Sequence, residues 1–248
     1  MQILPAVEDS PGATNIRTQS IALWSGPVVG VVLLLAFIAF PGFWPPMSPT
    51  MTAEQVAAFY AEHTAWIRFS QTAFNLCGIL LLPFFMVIVV QMKRMRTQSH
   101  VFAYCFLTAV VSGATIFALS NIFFLVAAFR PERNPELVQL VNDMAWIIFV
   151  APVGMVVAQL LLLAAAVHFD EADDPVFPRW VAPFSVAVAA AMAPSVCAAV
   201  VKTGPLAWDG AVSFWLRAIA FGVFITVMFV VVRRTLHRQG VIEGLVAA

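Results

Sequence analysis

Six apolar runs, each separated from the next by a short polar break, constrain this chain more than any motif it carries. A helix rises about 1.5 Å per residue, so a hydrocarbon core of about 30 Å takes about 20 apolar residues. The runs fall at 21–41, 67–91, 102–129, 144–168, 180–202 and 211–232. Inside a bilayer every backbone N–H and C=O must be satisfied within the segment, which long helices achieve. The predicted fold class is therefore an all-α integral membrane protein: a six-transmembrane-helix bundle with short amphipathic outer helices. Residues 1–20 read as a disordered tail, 21–234 as one transmembrane domain and 235–248 as a second tail.

Composition excludes the alternatives. The chain is 62% hydrophobic and 10% charged, against about 45–50% and about 25% in an average soluble domain. Thirteen Lys and Arg balance thirteen Asp and Glu, so no net field recruits a polyanion. An ordinary soluble enzyme, a disordered chain and a nucleic-acid binder are all excluded on these grounds. Cys77, Cys105 and Cys197 lie inside apolar runs without a C-x-x-C pair and read as small hydrophobes.

Orientation follows from counting Lys and Arg on each side. One side holds Arg17, Lys93, Arg94, Arg96, Arg179, Arg233, Arg234 and Arg238; the other holds Arg68, Arg130, Arg133, Lys202 and Arg217. Eight against five puts both termini in the cytoplasm, with the bacterial inner membrane as the expected location. Tryptophan prefers the membrane boundary. On that basis Trp24 and Trp180 are assigned to the inner interface, and Trp44, Trp66, Trp146, Trp208 and Trp215 to the outer one.

The outer connections carry helix-start signals. Thr52 followed by Gln55 forms a capping-box pattern, opening a short amphipathic helix with Val56, Phe59, Tyr60 and His63 on one face. Asn134-Pro135-Glu136 supplies an N-cap, a first-position proline and an acid for the helix dipole. After it, Leu137, Leu140, Val141 and Met144 line an apolar face. Pro83, Pro152 and Pro194 sit inside the second, fourth and fifth runs and are expected to kink them. Gly26-xxx-Gly30, Ala109-xxx-Gly113 and Ala218-xxx-Gly222 allow close helix approach.

The candidate site rests on the polar residues that cost most in a membrane. Arg217 lies about one turn inside the sixth span, where a charge costs up to about 2.5–3.5 kcal/mol. Arg68, Gln71 and Asn75 share one face of the second span, and Asp143 enters the fourth. These three spans run the same way, so Arg68, Asp143 and Arg217 share a depth, and Asn121 of the third span can join them. Asp143 is expected to pair with one arginine. The surplus positive charge then suits the acid end of an anionic amphiphile in an outward-facing pocket. The ligand-binding candidates are thus Arg68, Gln71, Asn75, Asp143 and Arg217.

Several chemistries lack their residues. No span carries a central His for haem or a Lys for a Schiff base, and H-E-x-x-H, His-rich clusters and a P-loop do not occur. No catalytic residue, cofactor or metal is therefore assigned.

The stretch Trp44-Pro-Pro-Met-Ser-Pro-Thr-Met-Thr-Ala-Glu-Gln-Val-Ala-Ala-Phe-Tyr60, with the Trp66-Ile-Arg68 start of the second span, resembles uncharacterised bacterial multi-pass membrane proteins. The resemblance covers roughly a quarter of the chain. It implies a helical membrane fold and transfers no activity or site.

Two functions compete at this level. One is binding or passing a small lipophilic or amphiphilic anion at the outer pocket. The other is an accessory or scaffold subunit that packs its small-residue faces on a membrane-protein partner or a second copy. The lipid bilayer is a partner in both, and nucleic acid in neither.

Overall fold

A computed structural model describes residue 3 and residues 10–97 and 99–247. Eight α-helices form six spans: α1 (Pro11–Ala39); α2 (Ala53–Gly78) with α3 (Leu82–Met92); α4 (Val101–Phe129); α5 (Pro135–Val150) with α6 (Gly154–His168); α7 (Val181–Met192) with the 3-10 segment Ala193–Ala199; and the π-helix Ala211–Leu216 with α8 (Arg217–Ile242). All six are long and apolar enough to cross a membrane. Short connections make successive spans antiparallel neighbours. Each span packs on the next in sequence, and α8 closes the ring on α1. The end carrying residues 40–67 and 199–216 is called the cap end. The end carrying Lys93, Arg94, Arg96 and Arg233–Arg238 is the basic end.

The three prolines expected to kink their helices interrupt them. A 3-10 turn, Ile79–Leu81, precedes Pro83; α5 and α6 separate at Pro152; α7 runs into the 3-10 segment Ala193–Ala199, which contains Pro194. Each proline lacks the N–H that would hold the carbonyl one turn earlier. The sixth span opens with a π-helix, Ala211–Leu216, whose wider turn precedes Arg217.

Three sequence expectations about boundaries are corrected. The first helix starts at Pro11, capped by the Ser10 side chain accepting from Ala13 N. Ala13 and Ile16 are fully buried, in one apolar core with Leu245 and Val246, and Ile3 bridges Val246. Residues 10–20 are thus ordered, while the rest of the expected tail, 1–2 and 4–9, lies outside the described residues. The last helix runs on to Ile242 with Leu236 and Gln239 buried, so the expected second tail is mostly helix. The amphipathic segment after Thr52 is not a separate helix but the opening turns of α2, with both halves of the capping box formed.

Two apolar cores stack along the bundle. The one at the basic end is built on Phe84, Phe85, Phe106, Leu160, Phe177 and Met228. The one at the cap end is largely aromatic. Phe43 sits fully buried there, stacked on Phe37 at 4.8 Å and Phe149 at 5.3 Å, and edge-on to Phe40 at 4.3 Å. Trp146 and Trp208 belong to this core, not to the interface; they are 0% and 5% exposed and stack at 6.2 Å. The Trp208 indole donates to Met47 O at 2.7 Å, which meets its polar need without a headgroup. Trp24, Trp44, Trp66 and Trp180 are exposed, as boundary anchors would be.

Of the small-residue motifs, only Gly26 permits a close helix approach: a Cβ there would sit 2.6 Å from the Phe84 ring. Gly113 leaves ordinary contact room beside Met155, and Gly30 and Gly222 have nothing within 4 Å. Gly26→Ala should therefore destabilise by about 1–3 kcal/mol through overpacking, while Gly30→Ala should not. Thermal unfolding in detergent checks this; equal effects from both substitutions would contradict the packing.

Candidate functional site

The five sequence-chosen residues are not gathered into one pocket. Arg68 spends its guanidinium on the end of α4. Its Nε and Nη2 donate to Ala128 O at 3.1 and 2.9 Å, and Nη2 donates to Phe129 O at 3.0 Å. The last carbonyls of a helix lack intrahelical donors, and a cation there also complements the dipole. Arg68 is a helix cap supplied from a neighbouring helix.

Asn75 continues the same seam, donating from Nδ2 to Ala118 O at 3.1 Å. Gln71 lies between them, 0% exposed, with neither amide atom partnered. Asn121 on α4 is likewise fully buried with both amide atoms unpartnered. The antiparallel pairs 68–128 and 75–118 place both Gln71 and Asn121 between them along the α2–α4 interface.

Asp143 does not pair with an arginine, which corrects the sequence expectation. The one ion pair among the described residues is Arg238–Asp174, at the basic end. The physical reason is the rotation of α5. Its buried face is Val138, Asn142, Ala145 and Trp146, whereas Leu137, Leu140 and Met144 of the apolar face are exposed. Asn142 takes the interior position: its Oδ1 accepts from the Tyr60 hydroxyl at 3.0 Å, and its Nδ2 lies 3.5 Å from Asp143 Oδ1. Gln139 Nε2 donates to Met51 O at 2.9 Å, tying α5 to the connection before α2. Only the adjacency of Asp143 to Asn142 could have hinted at this arrangement.

Arg217 stands apart from the α2 stripe. Packing of α8 on α1 and α7, not on α2, keeps it from facing Arg68. Its guanidinium carbon lies 5.1 Å from the Phe149 ring centre, within cation–π range. The side chain is half-buried, and Nε has no hydrogen-bond partner. It has no carboxylate within ion-pair distance among the described residues.

Two small cavities among the described residues lie at the basic end, and none of the five candidates lines either. The interior of the cap end is filled by aromatic rings.

Two polar arrangements escaped the sequence reading. Gln91 Nε2 donates to Gln19 Oε1 at 2.7 Å and to Gln239 Oε1 at 3.1 Å, and Arg94 Nη1 donates to Gln91 Oε1 at 2.6 Å. This knot joins α1, α3 and α8. Asp170, 1% exposed, accepts from the backbone N–H groups of Arg96, Ala172 and Val176 at 3.0, 3.2 and 3.0 Å. A polar side chain at the end of an apolar run was the available signal for Gln91.

The chain is a multi-pass helical membrane protein by its six spans. No protein-family model, curated protein or solved structure matches it.

Proposed function

We propose that this protein is a non-catalytic membrane component that holds an anionic amphiphile at Arg217. The observation that supports this reading is a half-buried guanidinium within a membrane-spanning helix, without an ion-pair partner among the described residues. A charge so placed is costly, and a carboxylate or phosphate would offset it through charge-assisted hydrogen bonds. The outward-facing pocket shared with Arg68 and Asp143 is replaced by a site at Arg217 alone, beside Phe149 of α5. Lipid extraction of the purified protein followed by mass spectrometry tests it. A fatty acid or acidic lipid retained above its share of the membrane supports the reading, and a composition equal to the membrane's opposes it.

A scaffold role is the second reading. The filled aromatic core favours it, together with the outward stripe Ala218, Gly222 and Thr226, where a Cβ at Gly222 meets nothing within 4 Å. Small residues let a partner helix approach closely. Under this reading Gly222→Leu lowers the mass of the complex isolated from native membranes.

We place the cap end outside and both termini in the cytoplasm of a bacterial inner membrane, on the eight-to-five Lys/Arg count. A reporter at residues 48–50 should read outside, and one after residue 248 inside. The reverse pattern would move Arg217 to the other leaflet.

A further inference from the structure

We propose that a groove between α1 and α8 at the basic end binds the headgroup of an anionic glycerophospholipid, with Arg233 as the phosphate ligand. This site goes beyond the Arg217 reading and lies at the opposite end of the bundle.

The groove encloses about 110 Å³ and is lined by Ser20, Leu23, Trp24, Arg233 and Leu236. That is several times the space one water needs. Its chemistry is divided. Arg233 and the Ser20 hydroxyl supply donors, the Trp24 indole a boundary group, and Leu23 and Leu236 apolar contact. Trp24 is held edge-on to Phe229 at 5.2 Å, which fixes one wall. Both apolar leucines are buried, while Arg233 and Trp24 are exposed, so the polar side opens outward.

Two neighbouring cations are committed elsewhere. Arg238 bonds Asp174 and the carbonyls of Pro175 and Val176, and Arg94 bonds Gln91. Arg233 forms no ion pair among the described residues. Among the described residues Arg233 is the one cation that lines the groove; its single charge matches one phosphodiester, and its fork suits phosphate oxygens. Beyond Trp24 the exposed surfaces of the two helices turn apolar, with Val28 and Val31 on α1 and Val223 and Val230 on α8. A ligand with a phosphate at one end and acyl chains at the other fits that sequence of surfaces. A free anion would leave the indole and the apolar surface unused.

The groove is also rigidly walled. The glutamine knot ties Gln19, next to Ser20, through Gln91 to Gln239, one turn from Leu236. Walls fixed before binding avoid the ordering cost that weakens flexible sites.

The test uses the full chain in phosphatidylcholine vesicles with a trace of spin-labelled phosphatidylglycerol, and reads the motionally restricted fraction. Wild type should prefer the labelled phosphatidylglycerol over labelled phosphatidylcholine. Arg233→Gln should reduce that preference by about tenfold or more, the worth of a hydrogen bond to a charged group. Arg233→Lys should keep most of it. Arg234→Gln removes the same charge outside the groove and should lower the preference less, by the general surface-charge effect of about fivefold at most. Equal losses from Arg233→Gln and Arg234→Gln would reduce the effect to general surface charge and overturn the site. So would a wild type without preference. Displacement of the label by inorganic phosphate would assign the groove to soluble anions and overturn the lipid assignment.

Discussion

Arg217→Ala protein should insert, extract and purify like the parent while losing its anionic amphiphile. Removing an unpaired charge from a membrane span relieves an insertion cost, so the substitution should not harm folding. Its cation–π contact with Phe149 contributes about 0.5–1 kcal/mol at an exposed site and more when desolvated. That is small beside the charge it removes. A hydrogen bond to a charged group contributes about 1.5–3 kcal/mol, so loss of one near 2 kcal/mol weakens binding about thirtyfold. Arg217→Lys should recover part of the affinity, because the charge survives and the planar fork does not. Titration of the purified variants with a fatty acid, followed calorimetrically, reads all three proteins. Unchanged affinity in Arg217→Ala would hand the function to the scaffold reading.

Phe43→Ala should be among the most damaging single substitutions in the chain. Phe43 lies in the proline-rich connection after α1, yet it is fully buried among rings from four spans: Phe37, Phe74, Phe149 and Phe214. Truncating a buried phenylalanine costs about 3–5 kcal/mol through lost transfer energy and the cavity left behind. The surrounding side chains are mostly rigid rings that cannot slump into the space, which argues for the upper part of that range. For a chain of this length the loss corresponds to a Tm fall of about 10 °C. Phe69→Ala removes an exposed ring, 61% accessible, and serves as the comparison. If Phe69→Ala lowers Tm as much, ring packing at the cap end does not stabilise the fold as described.

The candidate site shows where reading along the chain stops working. Arg68, Gln71 and Asn75 were legible as one helical face, and that face does meet α4. Their role was not legible, because the end of α4 that Arg68 caps is distant in sequence. Asp143 was misjudged because α5 carries apolar residues on several faces. In a bilayer an apolar side chain is as acceptable against lipid as against another helix, so hydropathy does not say which side faces inward. Leu137 and Leu140 face out, and Asn142 faces Tyr60. Trp208 was misplaced for a related reason: an indole is at home at the boundary or in a core that satisfies its N–H, as Met47 O does here; Trp146 is buried by ring packing alone.

Residue types alone determined the number of spans, their alternating direction, the caps at Thr52 and Asn134, and the breaks at Pro83, Pro152 and Pro194. Those features follow from the thickness of the hydrocarbon core and from backbone hydrogen bonding, and both act locally along the chain. Only the tertiary structure decided how each helix is rotated. It closed α8 on α1, left Arg217 without Arg68 or Asp143, and made the proline-rich connection part of the core. Helix rotation in a membrane is set by contacts between segments far apart in sequence, where ring shapes and single hydrogen bonds differ and hydropathy does not.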